Sequence, residues 1–222
     1  MSSAATETGV TRYIPPPPCA SKNGLYKANT PELVEARYRA RQLMYKYNNT
    51  LPKRETDGNP ERNEILAELL NIPIEQTKEI LIEPPLYVDY GTNIRLLGSF
   101  YANYNTCILD CALITIGKRV MFGPNVSLLA ATHGISVKER QSGWERAGEI
   151  VIGDDCWIGG GANIQANVML GRGCTVGAGA IVTKGFPDWS VIVGNPARLL
   201  KIVPEEERGM DWDPQSATVL EN

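Results

Sequence analysis

Histidine is nearly absent: one residue, His133, in 222. A chemistry that needs two or three histidines from one chain is excluded, and with it a zinc centre held by three imidazoles. Phenylalanine is scarce too, at three residues, so aromatic packing does not supply most of the core. No charge of one sign dominates: 22 Lys and Arg face 25 Asp and Glu, for a net charge of −3. That balance argues against a nucleic-acid or other polyanionic partner. The cysteines are odd in number, at five (Cys19, Cys107, Cys111, Cys156 and Cys174), and form no CxxC pair. Both a disulfide framework and a structural zinc site are therefore disfavoured, and reduced thiols fit a cytoplasmic setting. No run approaches the roughly 20 apolar residues of a membrane helix. The start, Met1-Ser2-Ser3-Ala4-Ala5-Thr6-Glu7, lacks the basic and apolar regions of a secretory signal. Metal, membrane and nucleic acid are thus all without support.

What is present is ordinary core-forming material, 43% hydrophobic and 21% charged, with an excess of glycine at 21 residues. Residues 1–20 contain Pro15-Pro16-Pro17-Pro18 and read as a disordered, extended arm. Residues 21–85 read as helical. Thr30-Pro31 is an N-cap and first-turn pair, and Leu33, Val34, Tyr38, Leu43 and Met44 follow at amphipathic spacing, ending near Asn48-Asn49. Asn59-Pro60 opens a second helix with Ile65, Leu66, Leu69 and Leu70. Ile74–Ile82 reads as a third, short helix before Glu83-Pro84-Pro85. The simplest reading of Arg37, Arg39 and Arg41 is a solvated helix face.

From residue 86 a period of six takes over. Ile152, Ile158, Ile164, Leu170, Val176 and Val182 fall six apart without a break, and Gly153, Gly159, Gly171 and Gly177 follow four of them. A second series, Cys156, Ala162, Val168, Cys174 and Ala180, is uniformly small or β-branched. Positions two apart on a strand share a face, so both series point inward. Glycine beside the aliphatic residue admits a corner where a Cβ would clash. Each hexad is then a short strand plus a corner, three hexads close a triangular coil, and coils stack because none buries its core alone. The spacing predicts a parallel β-helix in which Ile152 lies near Leu170, Ile158 near Val176 and Ile164 near Val182. The rhythm lapses over 132–149, a polar, aperiodic stretch that reads as a loop thrown out of the coil. Leu128 and Ile152 are 24 residues apart, four hexads, so the coil resumes in phase. The only histidine stands at the start of that loop. Residues 204–222 form an acidic tail.

Taken over roughly residues 22–203, the sequence resembles the maltose and galactoside O-acetyltransferases, the sugar branch of the hexapeptide-repeat acyltransferases. The resemblance is carried by Arg41-Gln42-Leu43-Met44-Tyr45-Lys46-Tyr47-Asn48, Asp89-Tyr90-Gly91-Thr92-Asn93, Ala131-Thr132-His133, Ile152-Gly153-Asp154-Asp155-Cys156-Trp157-Ile158-Gly159-Gly160, Val182-Thr183-Lys184 and Gly194-Asn195-Pro196-Ala197-Arg198. It implies a mainly β fold, a left-handed parallel β-helix with an N-terminal helical cap. It also implies a homotrimer whose active site lies between adjacent subunits, with acetyl-CoA as co-substrate and no metal required.

By this resemblance His133 is the general base that takes the proton of an acceptor hydroxyl, a task to which imidazole is well matched near neutrality. Without the resemblance it reads as a surface residue. The Gly160 N–H is implied as a main-chain donor to the tetrahedral oxyanion. Trp157 precedes inward Ile158 and so points outward; the resemblance sets it beside the pantetheine arm of CoA, and a subunit contact is the plainer alternative. Ala178 is implied as a main-chain contact to CoA, and Thr183, Lys184, Arg198 and Lys201 as further contacts, the cations suiting its phosphates. Asp89 and Asn103 match acceptor-contacting positions. Two other such positions depart from the family: Ala28 and Cys111 stand where acidic residues are usual, with Asp110 retained. Three readings follow: an acetyl-CoA-dependent O-acetyltransferase for a sugar or related molecule, the same enzyme type with a non-sugar acceptor such as an antibiotic or secondary metabolite, and a non-catalytic hexapeptide-repeat scaffold.

Overall fold

The stacking of inward aliphatics sets the architecture. The computed structural model describes residues 24–54 and 59–209, so the Pro-rich arm and most of the acidic tail lie outside the described residues. Three parallel walls form a β-helix. The first wall stacks Ile80–Ile82, Phe100–Ala102, Val120–Phe122, Trp157–Ile158, Thr175–Val176 and Ser190–Val193, with Arg198–Ile202 closing it antiparallel. The second stacks Leu86–Val88, Thr106–Leu109, Ser127–Leu129, Asn163–Gln165 and Ile181–Val182, and the third Ile94–Leu96, Ile114–Ile116, Ile150–Ile152 and Met169–Leu170.

The predicted stacking is present in register: Ile152 beside Leu170, Ile158 beside Val176, Ile164 beside Val182. Both inward series are buried, and Trp157 between Cys156 and Ile158 is 49% exposed. Parallel strands buried along one edge give a continuous aliphatic column, whose burial at about 25 cal/mol per Å² drives the stack. The glycines after the aliphatics serve a purpose other than the corner itself. At Gly159 a Cβ would meet the Ala178 N at 2.6 Å and the Val176 O at 2.7 Å of the next coil. Glycine is needed there because two coils approach each other. Several corners instead use left-handed Asn105, Asn125, Asp155 and Asn167.

Two helices cover the open end of the stack. Helix α1 (Pro31–Asn48) begins and ends where the sequence placed it, and α2 (Pro60–Leu70) has Asn59 as its N-cap, whose side chain accepts from Arg62 N at 3.2 Å. The Tyr47 hydroxyl donates to the Ile82 carbonyl at 2.7 Å, and Asn48 exchanges two hydrogen bonds with the Leu86 backbone. These bonds occupy backbone groups of the first coil that have no coil beneath them.

Three expectations are corrected. The third helix of the sequence reading is a 3₁₀ turn, Ile74–Glu79, followed by the strand Ile80–Ile82, which pairs with Phe100–Ala102. The β-helix therefore starts before residue 86, because Ile80 and Ile82 alternate inward around exposed Leu81. Arg37 and Arg39 are not simply solvated: they donate to the Tyr90 hydroxyl, at 2.8 Å, and to the Glu68 carbonyl, tying α1 to the coil and to α2. The excursion over 132–149 also has structure. Ala131–Thr132 and Glu145–Ala147 pair as a hairpin around α3 (Val137–Gln141), and Leu25–Tyr26 adds a third, antiparallel strand.

Candidate active site

The excursion leaves the coil at the corner between the second and third walls, and His133 follows its first strand, exposed to solvent. Asp89 and Cys111 lie at the same corner, on the coils that precede it. Cys111 is buried, and its Sγ donates to Asp89 Oδ2 at 3.1 Å. Burial, and then the Asp89 charge, push the Cys111 thiol well above its usual range, so this group is a neutral donor that orients a carboxylate. Asp110 is consumed internally. Its Oδ1 accepts from the backbone N of Asp89 and of Tyr90 at 3.0 and 2.9 Å, and its Oδ2 from Asn93 N at 3.2 Å. Burial raises its pKa to about 6 against the opposing pull of those N–H groups. Asp110 therefore builds the corner, and Asp89 is the carboxylate that reaches the surface there.

Across this corner stands the hairpin, held by the Tyr26 hydroxyl, which donates to Glu145 Oε2 at 2.9 Å. Burial first, then Cys111 and Glu145, push the Tyr26 phenol upward, so it remains a donor. Two further corner residues, Thr183 and Lys184, are exposed on a later coil, with the Lys184 ammonium 5.6 Å from the centre of the Phe186 ring.

The remaining predicted residues belong to a different edge. Trp157 faces outward from the first wall, in register between Met121 and Thr175. Gly160, Ala178 and Asn103 occupy the corner between the first and second walls. There the N–H groups of Gly159 and Gly161 bond Val176 O at 2.7 Å and Pro124 O at 2.8 Å, and the Gly177 N–H bonds Ile192 O. The Gly160 and Ala178 N–H groups between and after them bond no group among the described residues. They form a pair of open main-chain donors on successive coils. Asn103 turns its Oδ1 onto the Tyr104 N–H at 2.7 Å. Arg198 and Lys201 lie exposed on the closing strand, Arg198 bonding the Ala197 carbonyl at 3.0 Å.

One chain therefore brings His133, Asp89, Thr183 and Lys184 to one edge, and Asn103, Gly160 and Ala178 to another, beside Trp157, Arg198 and Lys201 on the first wall. No group of three or more His, Cys, Asp or Glu suited to a metal ion occurs among the described residues. None of their helices is long and apolar enough to cross a membrane. The sequence reading missed what surrounds His133: Arg140, the Glu139–Arg146 ion pair and the strand Leu25–Tyr26. Only Gly134 hinted at it, as a glycine directly after the histidine.

Comparison with known proteins gives a consistent picture. Residues 23–71 match the maltose acetyltransferase hexapeptide capping motif, and 149–184 match the bacterial transferase hexapeptide repeats. A putative acetyltransferase of Schizosaccharomyces pombe is 43% identical over 82% of this chain and 88% of its own length. The crystal structure of a maltose O-acetyltransferase from Clostridium difficile is 35% identical, with a TM-score of 0.76 over 87% of this chain and all of the other. A galactoside acetyltransferase in complex with coenzyme A is 30% identical, with a TM-score of 0.72 over 86% of this chain and 92% of the other.

Proposed function

The chain belongs to the maltose and galactoside O-acetyltransferase family of hexapeptide-repeat acyltransferases, and on that premise we propose that it moves the acetyl group of acetyl-CoA to a hydroxyl of a sugar or related small molecule, with His133 as general base. The observation that carries this reading is the chain's one histidine, exposed on a built excursion at the edge that also presents Asp89.

The chemistry runs through groups of this chain. Asp89 and Asn103 hold the acceptor, and His133 takes the proton of its hydroxyl as the oxygen attacks the thioester carbonyl. The open Gly160 N–H donates to the oxyanion, a contribution worth about 10²–10³ in rate. The tetrahedral intermediate then expels the CoA thiolate, which receives the proton from the imidazolium. Trp157 flanks the pantetheine arm, Ala178 offers its open N–H, and Thr183, Lys184, Arg198 and Lys201 serve the polar and phosphate end.

These residues occupy two edges of one chain. We assign the active site to the junction of two subunits, with His133 of one facing Trp157 and Gly160 of its neighbour in a closed ring of three. Mass in solution should be three times that of the chain; a fully active monomer would overturn the assignment. The four described cysteines are free thiols, which supports a cytoplasmic setting. Cys111 and Ala28 at acceptor positions favour an acceptor other than a simple galactoside or maltose, including a non-sugar hydroxyl. Thiol release from acetyl-CoA, followed across a panel of sugars and other hydroxylated molecules, tests both points. A folded His133→Ala protein keeping more than half of wild-type turnover would overturn the catalytic role.

A further inference from the structure

A general base has to be held still, and within one chain the excursion offers little burial with which to hold it. Ile135, two residues after His133, is 97% exposed, and Val137 is 59% exposed. We propose that Arg140 is the positioning residue for His133, an inference that rests on the catalytic reading of His133 given above. Its Nη1 donates to two consecutive carbonyls that follow the histidine, Gly134 at 2.9 Å and Ile135 at 2.6 Å. Two charge-assisted bonds from one guanidinium fix two successive peptide planes, which apolar contact does not fix here.

The neighbouring residues complete the brace. Helix α3 returns the chain so that Arg140 N donates to Ser136 O at 3.2 Å, closing the turn that aims the guanidinium back at Gly134. The Glu139 carboxylate packs where a Cβ on Gly134 would sit, so any larger residue after the histidine would push Glu139 from its place. That same carboxylate pairs with Arg146 on the returning strand. Arg146 is in backbone register with Thr132, the residue before His133. The histidine is thus gripped on its N-terminal side by strand pairing and on its C-terminal side by Arg140.

Two variants test this. Arg140→Met keeps the aliphatic stem and removes every donor, and Arg140→Lys returns the charge and part of the donor capacity. Displacement of a reacting group by about 1 Å costs up to about 10²-fold, so Arg140→Met should lower kcat by about 10- to 100-fold on the best acceptor of the panel. The acetyl-CoA KM should stay within about twofold and the melting temperature of the coil should be unchanged. Arg140→Lys should recover part of kcat. A second readout needs no acceptor. The chain has one histidine, so the proton on its imidazole Cε1, between the two ring nitrogens, gives a single assignable NMR resonance, which should be sharp in the wild type and shifted or broadened in Arg140→Met. If Arg140→Met does not fold, the same resonance in Arg140→Lys decides. An unshifted resonance with kcat within twofold of wild type overturns the inference. His133→Ala separates it from its premise: if that variant is inactive while Arg140→Met is normal, only the brace fails; if His133→Ala retains turnover, the function proposed above fails first.

Discussion

The coil and the excursion that leaves it are built by opposite means. In the coil each strand is one rung of a backbone ladder, and Ile158, Ile164 and Ile116 are completely buried. Its side-chain contacts add to a frame already closed by main-chain bonds. The Arg119–Asp155–Arg172 staple, which joins three successive coils, is such an addition. In the excursion the order is reversed. Its buried residues are few, and polar side chains (Tyr26 on Glu145, Glu139 on Arg146, Arg140 on two carbonyls) hold a short hairpin and a five-residue helix in place. The lesson is a division of labour. Cooperative burial gives the stack its stability, and a polar, separately braced segment carries the proposed chemistry, where substitution leaves the core intact.

That division can be broken by experiments in which stability and rate move together. The largest effect should come from His133→Ala, with turnover falling about 10²–10⁴-fold while circular dichroism and acetyl-CoA affinity hold; a loss of β signal would erase the distinction. Ile158→Ala, by contrast, should cost about 2–5 kcal/mol of unfolding free energy in a denaturant titration, since Ile158 is stacked between Phe122 and Val176. The acetyl-CoA kinetics of the fraction that remains folded should be unaltered. Trp157→Ala removes an exposed side chain of the first wall and should raise the acetyl-CoA KM about tenfold with little change in melting temperature; an unchanged KM would remove Trp157 from the cofactor site.

The smallest effect sharpens the comparison on the coil side. The Arg119 hydrogen bond, then that of Arg172, hold the Asp155 carboxyl below its usual range. A depressed folded-state pKa contributes stability above the unfolded value, and that contribution is lost as pH falls through the folded one. Asp155→Asn should therefore cost about 1 kcal/mol at neutral pH, after allowance for solvent screening. The difference between variant and wild type should shrink as pH drops below about 4. Equal pH profiles for the two proteins would show the staple to be idle.

The coil was legible because a period of six exposes itself in one dimension. Ile152 predicts Leu170, and Trp157 must face outward if Ile158 faces in. Helix α1 was legible for a similar reason, since Thr30-Pro31 is a local start signal. Ile80–Ile82 was not, because three residues of alternation next to a turn of 3₁₀ helix look like the end of an amphipathic helix. The candidate site was legible only as residue types. His133, Trp157 and Lys184 could be picked out through a family resemblance, yet nothing in their spacing says that they divide between two edges. Asp110 and Asp89 look alike in sequence, and only burial against three N–H groups separates the structural carboxylate from the available one. Arg140 and Leu25–Tyr26 act through contacts that no period encodes.

The neck of the excursion has a consequence for how such an enzyme is edited. Ala131 pairs with Ala147, and the Gly148 N–H bonds the Ala130 carbonyl at 2.9 Å, so the chain comes back to the place it left and re-enters the coil in phase. The insertion works as a cassette in a socket. Exchange of its contents should leave the register of the rungs on either side unchanged, and under the function proposed above it should alter selectivity for acceptors on a frame that assembles as before.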